Sequence, residues 1–215
     1  MCSHTKLLRL FRYAGHFFWD QPHWLSTNAR TYDEIDSPHD CFILVRDPVS
    51  RFVSCYNERF APAFGMRPIE ELTPSELDST LVNYTDGQFG CSNEIARWLS
   101  PSGRGDRAIN EGRILEEDIE ETKRRIETCV VGNTVGRCAD TQTVVAHWLP
   151  WLPVTCENSG HRSHRKRAST EQLPEAVRRA ILRTNKLDME LYAAAMEHFE
   201  QLLMLARCYG DVPCA

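Results

Sequence analysis

Residues 41–56 read Cys41-Phe-Ile-Leu-Val-Arg46-Asp47-Pro48-Val-Ser-Arg51-Phe-Val-Ser54-Cys-Tyr56. An apolar run ends in an arginine, turns at Asp-Pro, and opens a helix that carries Arg51, Ser54 and Tyr56. Such a junction can grip a phosphate. The arginine puts a cation at a strand end, and the helix start offers free backbone N–H groups and a hydroxyl. Arg46 is suited to a bidentate charged contact and Ser54 to hydroxyl donation. Arg51 either touches the same ligand or pairs with Asp47 to brace the turn, and the brace is the favoured reading. The pattern R-D-P-x-x-R-x-x-S fixes five positions. At roughly one residue type in twenty, a chance match arises about once in a million start points. The chemistry implied is binding of a phosphorylated nucleotide.

The elements that must position these groups alternate between strand and helix. Residues 41–45 form a first strand, and a helix runs from Pro48 to near Phe60. Cys129-Val-Val-Gly132 is a second strand, followed by a helix over Ala139–Leu149. Both strands are apolar throughout, which predicts an α/β fold with a parallel sheet covered by helices on both faces. Further helices are expected over Thr5–Ala14, Asn93–Leu99, Leu115–Glu127, Pro174 to about Arg183, and Leu187–Ala206. Thr73-Pro74-Ser75-Glu76 is a capping box with proline at the first helical position, so a helix should follow to about Val82. Asp86-Gly87 reads as a turn and Pro101–Asp106 as a loop.

Bulk properties narrow the function classes. The 215 residues suit a single domain, 1–215, with a full core. A net charge of -5 excludes a generic nucleic-acid binder, yet His161-Arg-Ser-His-Arg-Lys-Arg167 is a dense cationic run. No apolar stretch is long enough to span a bilayer. The start, Met1-Cys-Ser-His-Thr-Lys6, lacks the apolar core of a signal peptide. Nine cysteines contain no C-x-x-C pair, so no metal site is expected. Cys41 and Cys129 are expected as small buried residues in strands, while the other cysteines are candidates for pairing in a secretory lumen. Asn83-Tyr84-Thr85, a glycosylation sequon, points to the same compartment.

Arg46-Asp-Pro-x-x-Arg51-x-x-Ser54-x-Tyr56 resembles the 3′-phosphate motif of sulfotransferases that use 3′-phosphoadenosine-5′-phosphosulfate (PAPS), especially the Golgi carbohydrate group. Cys129-Val-Val-Gly132-Asn-Thr134, with a helix ending His147-Trp-Leu-Pro-Trp151, resembles that family's "VVGxTE" strand and next helix. His164–Arg167, Leu173-Pro174 and Asn185-x-Leu-Asp188-x-Glu-Leu-Tyr192 resemble the C-terminal third of the uronyl and heparan sulfate 2-O-sulfotransferases. The resemblance runs from near residue 2 to about residue 200. It implies a P-loop-like sulfotransferase fold and transfer of a sulfuryl group from PAPS to a carbohydrate hydroxyl. PAPS is then a co-substrate, no metal takes part, the partner is a glycan acceptor, and the location is the Golgi lumen.

Site residues follow from the same resemblance. Arg46 and Ser54 match the 3′-phosphate contacts. Cys2, Ser3 and His4 match the second half of the loop that holds the 5′-phosphosulfate. The first half of that loop, its lysine, the first strand and any membrane anchor would lie before Met1. His23 matches the catalytic base, with His16 as the alternative; an imidazole titrating near pH ~6.5 suits proton removal from a hydroxyl. Arg165 and Lys166 match a loop closing over the nucleotide or meeting an anionic glycan, and Asn93 and Arg97 a segment near the acceptor. The family's glutamate after Thr134 is replaced by Val135-Gly136. Two other readings compete. A degenerate sulfotransferase fold could bind a nucleotide or anionic glycan without turnover. A P-loop kinase would need G-x-x-x-x-G-K-[ST], which the chain lacks.

Overall fold

The computed structural model describes residues 41–73, 75–77, 91–99, 116–133, 135–152, 154, 156, 170 and 173–209. The expected helix at 5–14, the sequon, the turn at 86–87, the loop at 101–106 and the basic run at 161–167 lie outside the described residues. So do Cys2, Ser3, His4, Lys6, His16, His23, Arg165 and Lys166.

Strand β1 (Phe42–Leu44) and strand β2 (Val130–Gly132) pair in parallel, with Phe42 opposite Val130, Ile43 opposite Val131 and Leu44 opposite Gly132. The ladder continues at each end, where Val130 N–H donates to Cys41 O and Val45 N–H to Gly132 O. Alternate residues face opposite sides of a strand, and Phe42, Ile43, Val130 and Val131 are all buried. The sheet is therefore covered on both faces, as continuous apolar strands require.

Helix α1 (Pro48–Cys55) leaves β1 through a two-part start signal. Pro48 occupies the first turn, where its missing N–H costs nothing, and Asp47 caps the helix by accepting from Ser50 N–H at 2.8 Å. The helix runs on past the expected stop at Phe60. A π-helical turn (Tyr56–Phe60) leads into α2 (Ala61–Phe64). Pro62 explains the widened turn, because it has no N–H for Glu58 and its ring would crowd that carbonyl in a regular helix. Gly65, at φ +63°, ends the run. Met66 N–H donates to Ala61 O and Gly65 N–H to Pro62 O, the double closure that a left-handed residue permits.

The capping box forms. Thr73 Oγ1 accepts from Glu76 N–H while the Glu76 carboxylate takes the Thr73 N–H and hydroxyl. Those bonds from Thr73 hold the Glu76 carboxyl below its usual range.

Helices α3 (Glu94–Leu99), α4 (Glu116–Glu127) and α5 (Cys138–Trp148) lie close to their expected spans. Helix α6 (Glu175–Thr184) is followed after Asn185 by α7 (Lys186–Tyr209). Helix α7 buries Leu191, Ala195, Phe199, Leu202, Leu203 and Ala206 along one stripe and packs on α4, α5 and β2. Two apolar clusters result. The larger holds the sheet with α3, α4, α5 and α7; the smaller holds α1, residues 69–77, Cys91 and α6.

Cys41 and Cys129 are not separate thiols. They form a disulfide that ties the two strand entrances together, with Cα atoms 4.7 Å apart. The parallel register brings the two residues that precede the strands side by side, a proximity invisible in one chain's local pattern. Cys55–Cys91 and Cys138–Cys156 are also bonded, and Cys208 is disulfide-bonded as well.

Gly132 sets how closely α5 approaches the sheet. A Cβ there would lie 2.6 Å from Thr141 Cγ2 and 3.0 Å from Leu44 Cδ2. Thr141 is held in place because its Oγ1 accepts from Asn133 N–H at 2.8 Å. Gly132→Ala should therefore cost about 1–3 kcal/mol of unfolding free energy, the usual range for overpacking a rigid site. Urea denaturation checks this, and a variant with unchanged midpoint would mean that α5 is not seated as closely as described.

Candidate functional site

The carboxyl ends of β1 and β2 lie side by side, and in an open α/β sheet this edge is where ligands sit. Leu44 is opposite Gly132, so the next residues, Val45 with Arg46 and Asn133, leave the sheet together. Arg46 is half-buried, and its Nε donates to Ser50 Oγ at 3.2 Å. Ser50 Oγ in turn donates to Asp47 O at 3.0 Å. The root of the guanidinium is thus fixed against the first turn of α1. Ser54 is one turn beyond Ser50 on the same face of the helix. Arg46, Ser50 and Ser54 are all half-buried, whereas Val49, Arg51, Phe52 and Val53 are buried. The first three therefore form the accessible ridge of this junction.

The start of α1 is not an open anion site. Pro48 has no N–H, Ser50 N–H is taken by the Asp47 carboxylate, and Arg51 N–H donates to Asp47 O. This narrows the expectation of free backbone donors to the Val49 N–H, which has no partner among the described residues. The Asp47 carboxylate takes the Ser50 N–H, so anion binding here falls mainly to side chains. Ser50, which lies between the two expected contacts and orients the first, was missed in the sequence reading. Its signal was the spacing of four residues from Arg46 and four from Ser54.

Arg51 braces the fold, but its partner is not Asp47. It is buried, and its Nη2 lies 2.9 Å from Asp188 Oδ2 on α7, with Asp188 fully buried. The same nitrogen donates to Cys91 O at 3.0 Å. The Asp188 carboxylate also accepts from Ile95 N–H at 3.1 Å and Ala96 N–H at 2.9 Å, so it caps α3. Asn93, expected at the acceptor, sits in this hub. It adopts φ +47°, a left-handed conformation that asparagine tolerates. Its Oδ1 accepts from Asp188 N–H at 3.3 Å, near the start of α7. Its N–H donates to Asn185 Oδ1 at 3.1 Å, and Asn185 Nδ2 donates to Ile181 O at the end of α6. Helices α3 and α7 thus cap each other. Arg97 lies on α3, but its side chain is outside what is described.

At the same sheet edge, Asn133 Nδ2 donates to Tyr192 Oη on α7 at 3.1 Å. Burial, followed by the negative charge of Asp47, raises the Tyr192 phenol above its usual range. Asp47, Asn133 and Tyr192 therefore share the carboxyl edge of the sheet with Arg46. Tyr56, in contrast, turns inward, and its hydroxyl donates to Arg67 O at 3.3 Å.

A family model described as the sulfotransferase family matches residues 14–193, which takes in both strands, the Arg46 ridge, the hub and Tyr192. The chain belongs to the sulfotransferase family. Searches of curated proteins and of solved structures return no match. Family membership supports a transferase and agrees with a helix-rich α/β chain built on a small parallel sheet. Among the described residues of this sulfotransferase-family chain, no helix is long and apolar enough to cross a membrane.

The hub generates a sharp expectation. Removing the carboxylate in Asp188→Ala strands a buried guanidinium and uncaps α3, so unfolding free energy should fall by about 3–5 kcal/mol. Asp188→Asn, which keeps an acceptor but not the charge, should lose less. Guanidinium denaturation compares the two, and equal, small losses would deny the hub its structural weight.

Proposed function

We propose that this sulfotransferase-family chain transfers a sulfuryl group from PAPS to a hydroxyl of a carbohydrate. The observation that carries the reading is the ridge of Arg46, Ser50 and Ser54 at the carboxyl edge of a parallel sheet. It supplies one cation held in place by Ser50 and the Ser54 hydroxyl on the same face, which suits the 3′-phosphate of the donor. Occupation of the helix start by Asp47 agrees with this division, since specificity then comes from the side-chain ridge rather than from bare helix donors.

Sulfuryl transfer passes the group in line from the 5′-phosphate to the acceptor oxygen, so positioning and charge stabilisation carry most of the work. In this reading Cys2, Ser3 and His4 meet the 5′ side of the donor, and Arg165 and Lys166 close over it. Arg97 faces a carboxylate or sulfate of the acceptor. The basic run 161–167, in a chain of net charge -5, favours an anionic glycan as acceptor. The disulfides favour an oxidising compartment such as the Golgi lumen. His23, or His16 in its place, takes the proton from the acceptor hydroxyl.

The donor claim has a direct test. Adding 3′-phosphoadenosine-5′-phosphate should raise the melting temperature, and Arg46→Ala should abolish the shift without lowering the melting temperature of the unliganded protein by more than a few degrees. No shift in the wild type would remove PAPS from the reading.

The base is tested in a sulfate-transfer assay with an anionic glycan. His23→Ala should reduce turnover at least about a hundredfold. Binding of 3′-phosphoadenosine-5′-phosphate should stay intact. Near-normal turnover would assign the proton transfer to another residue, with His16→Ala as the next variant.

A further inference from the structure

The Tyr192 hydroxyl on α7 lies at the carboxyl edge of the sheet, bonded to Asn133, and the proposed function does not use it. Asn133 is held on every side. Its N–H donates to Thr141 Oγ1, its Oδ1 accepts from Gly136 N–H, and its carbonyl accepts from Arg137 N–H. Its amide nitrogen sends one hydrogen toward Met196 Sδ at 3.5 Å and the other to Tyr192 Oη at 3.1 Å. With so many anchors the amide cannot turn over and present its oxygen to the phenol. Tyr192 is therefore an acceptor toward Asn133, and its own proton must point elsewhere. No described residue accepts that proton.

The position of this donor gives it a meaning. Asn133 lies in register one residue past the Leu44–Gly132 pair, beside Val45, and Arg46 is the next residue along β1. Neighbouring strands are about 4.8 Å apart, so Asn133 and the Arg46 junction are within one strand spacing of each other. Tyr192 is half-buried at this edge and feels the charge of Asp47. Its phenol stays protonated through neutral pH, because both its burial and that negative charge oppose ionisation. A neutral O–H at the same sheet edge as the fixed Arg46 is a complement to an anion, and the Asp47 carboxylate at that edge has Oδ1 engaged in capping α1.

We propose that the Tyr192 hydroxyl, aimed by Asn133, donates a hydrogen bond to a phosphate oxygen of the donor nucleotide bound at the Arg46 ridge. This rests on the nucleotide reading above and adds a contact from α7, a helix that motif reasoning left outside the site. It also gives Asn133 a positioning role: it sets which way the phenol proton faces.

Titration calorimetry with 3′-phosphoadenosine-5′-phosphate on the whole chain tests it. Tyr192→Phe keeps the ring and removes only the hydroxyl, and Kd should weaken about tenfold or more, as expected for a lost hydrogen bond to a charged group. Arg46→Ala run alongside should weaken Kd further. A urea melt of Tyr192→Phe run alongside should show a midpoint close to that of the wild type, which separates a lost contact from general loosening of this corner. If the wild type binds and Tyr192→Phe binds equally well, the tyrosine contact is overturned while the nucleotide reading stands. If the wild type itself does not bind, the nucleotide reading fails first.

Discussion

The buried pair of Arg51 and Asp188 is the constraint on which the rest of this structure depends. Two charges taken out of water are costly, and hydrogen bonds to the pair offset much of that cost. Here the carboxylate answers one guanidinium and two backbone N–H groups, and the guanidinium also reaches Cys91 O. The pair sits where the two apolar clusters meet, because Arg51 belongs to α1 and Asp188 to α7. Apolar contact alone would allow these layers to slide. A charge pair with fixed directions holds them in one register, and Cys55–Cys91 ties the same corner covalently.

That register matters for the ridge. Arg51 lies on α1 within one turn of Ser50 and Ser54, so anchoring it fixes the rotation of the helix and with it the place of the accessible ridge. Helix α7 supplies Asp188 on one side of the same corner and, one turn later, Tyr192 at the sheet edge. A single helix thus anchors the Arg46 junction through Arg51 and reaches the sheet edge with Tyr192. Catalysis by positioning demands this kind of rigidity more than it demands reactive groups.

Much of this was legible in the sequence where the signal was local. Pro48 after Asp47 marked the helix start, Thr73 with Glu76 marked a cap, and apolar runs at 41–45 and 129–132 marked strands. What failed were pairings across long separations. Arg51 has Asp47 four residues away, and local reasoning chose it over Asp188, which lies 137 residues on. Cys41 and Cys129 read as core thiols because each sits in an apolar run, and only the parallel register puts them together. The run of helix beyond Phe60 was not legible in the sequence, where a π-helical turn accommodates Pro62. Asn185, Asp188 and Tyr192 were visible as a spaced motif, but spacing does not tell which face of a helix meets a buried arginine and which meets the sheet edge.

The capped start of α1 bears on how a polyanionic donor is held. A helix terminus with open N–H groups accepts any anion of suitable size. With Asp47 installed there, the local field includes a fixed negative charge, and a phosphate must approach from the side-chain face instead. Arg46 is pinned to that face through Ser50, so its charge is delivered at a set place and angle. The arrangement trades general anion affinity for geometric selectivity. In the proposed reading, the phosphate of a ligand meets Arg46 and Ser54 while the rest of it lies along the sheet edge toward Asn133 and Tyr192. A nucleotide with a phosphate on its ribose then fits better than an isolated anion, because its base and sugar extend along the remaining edge.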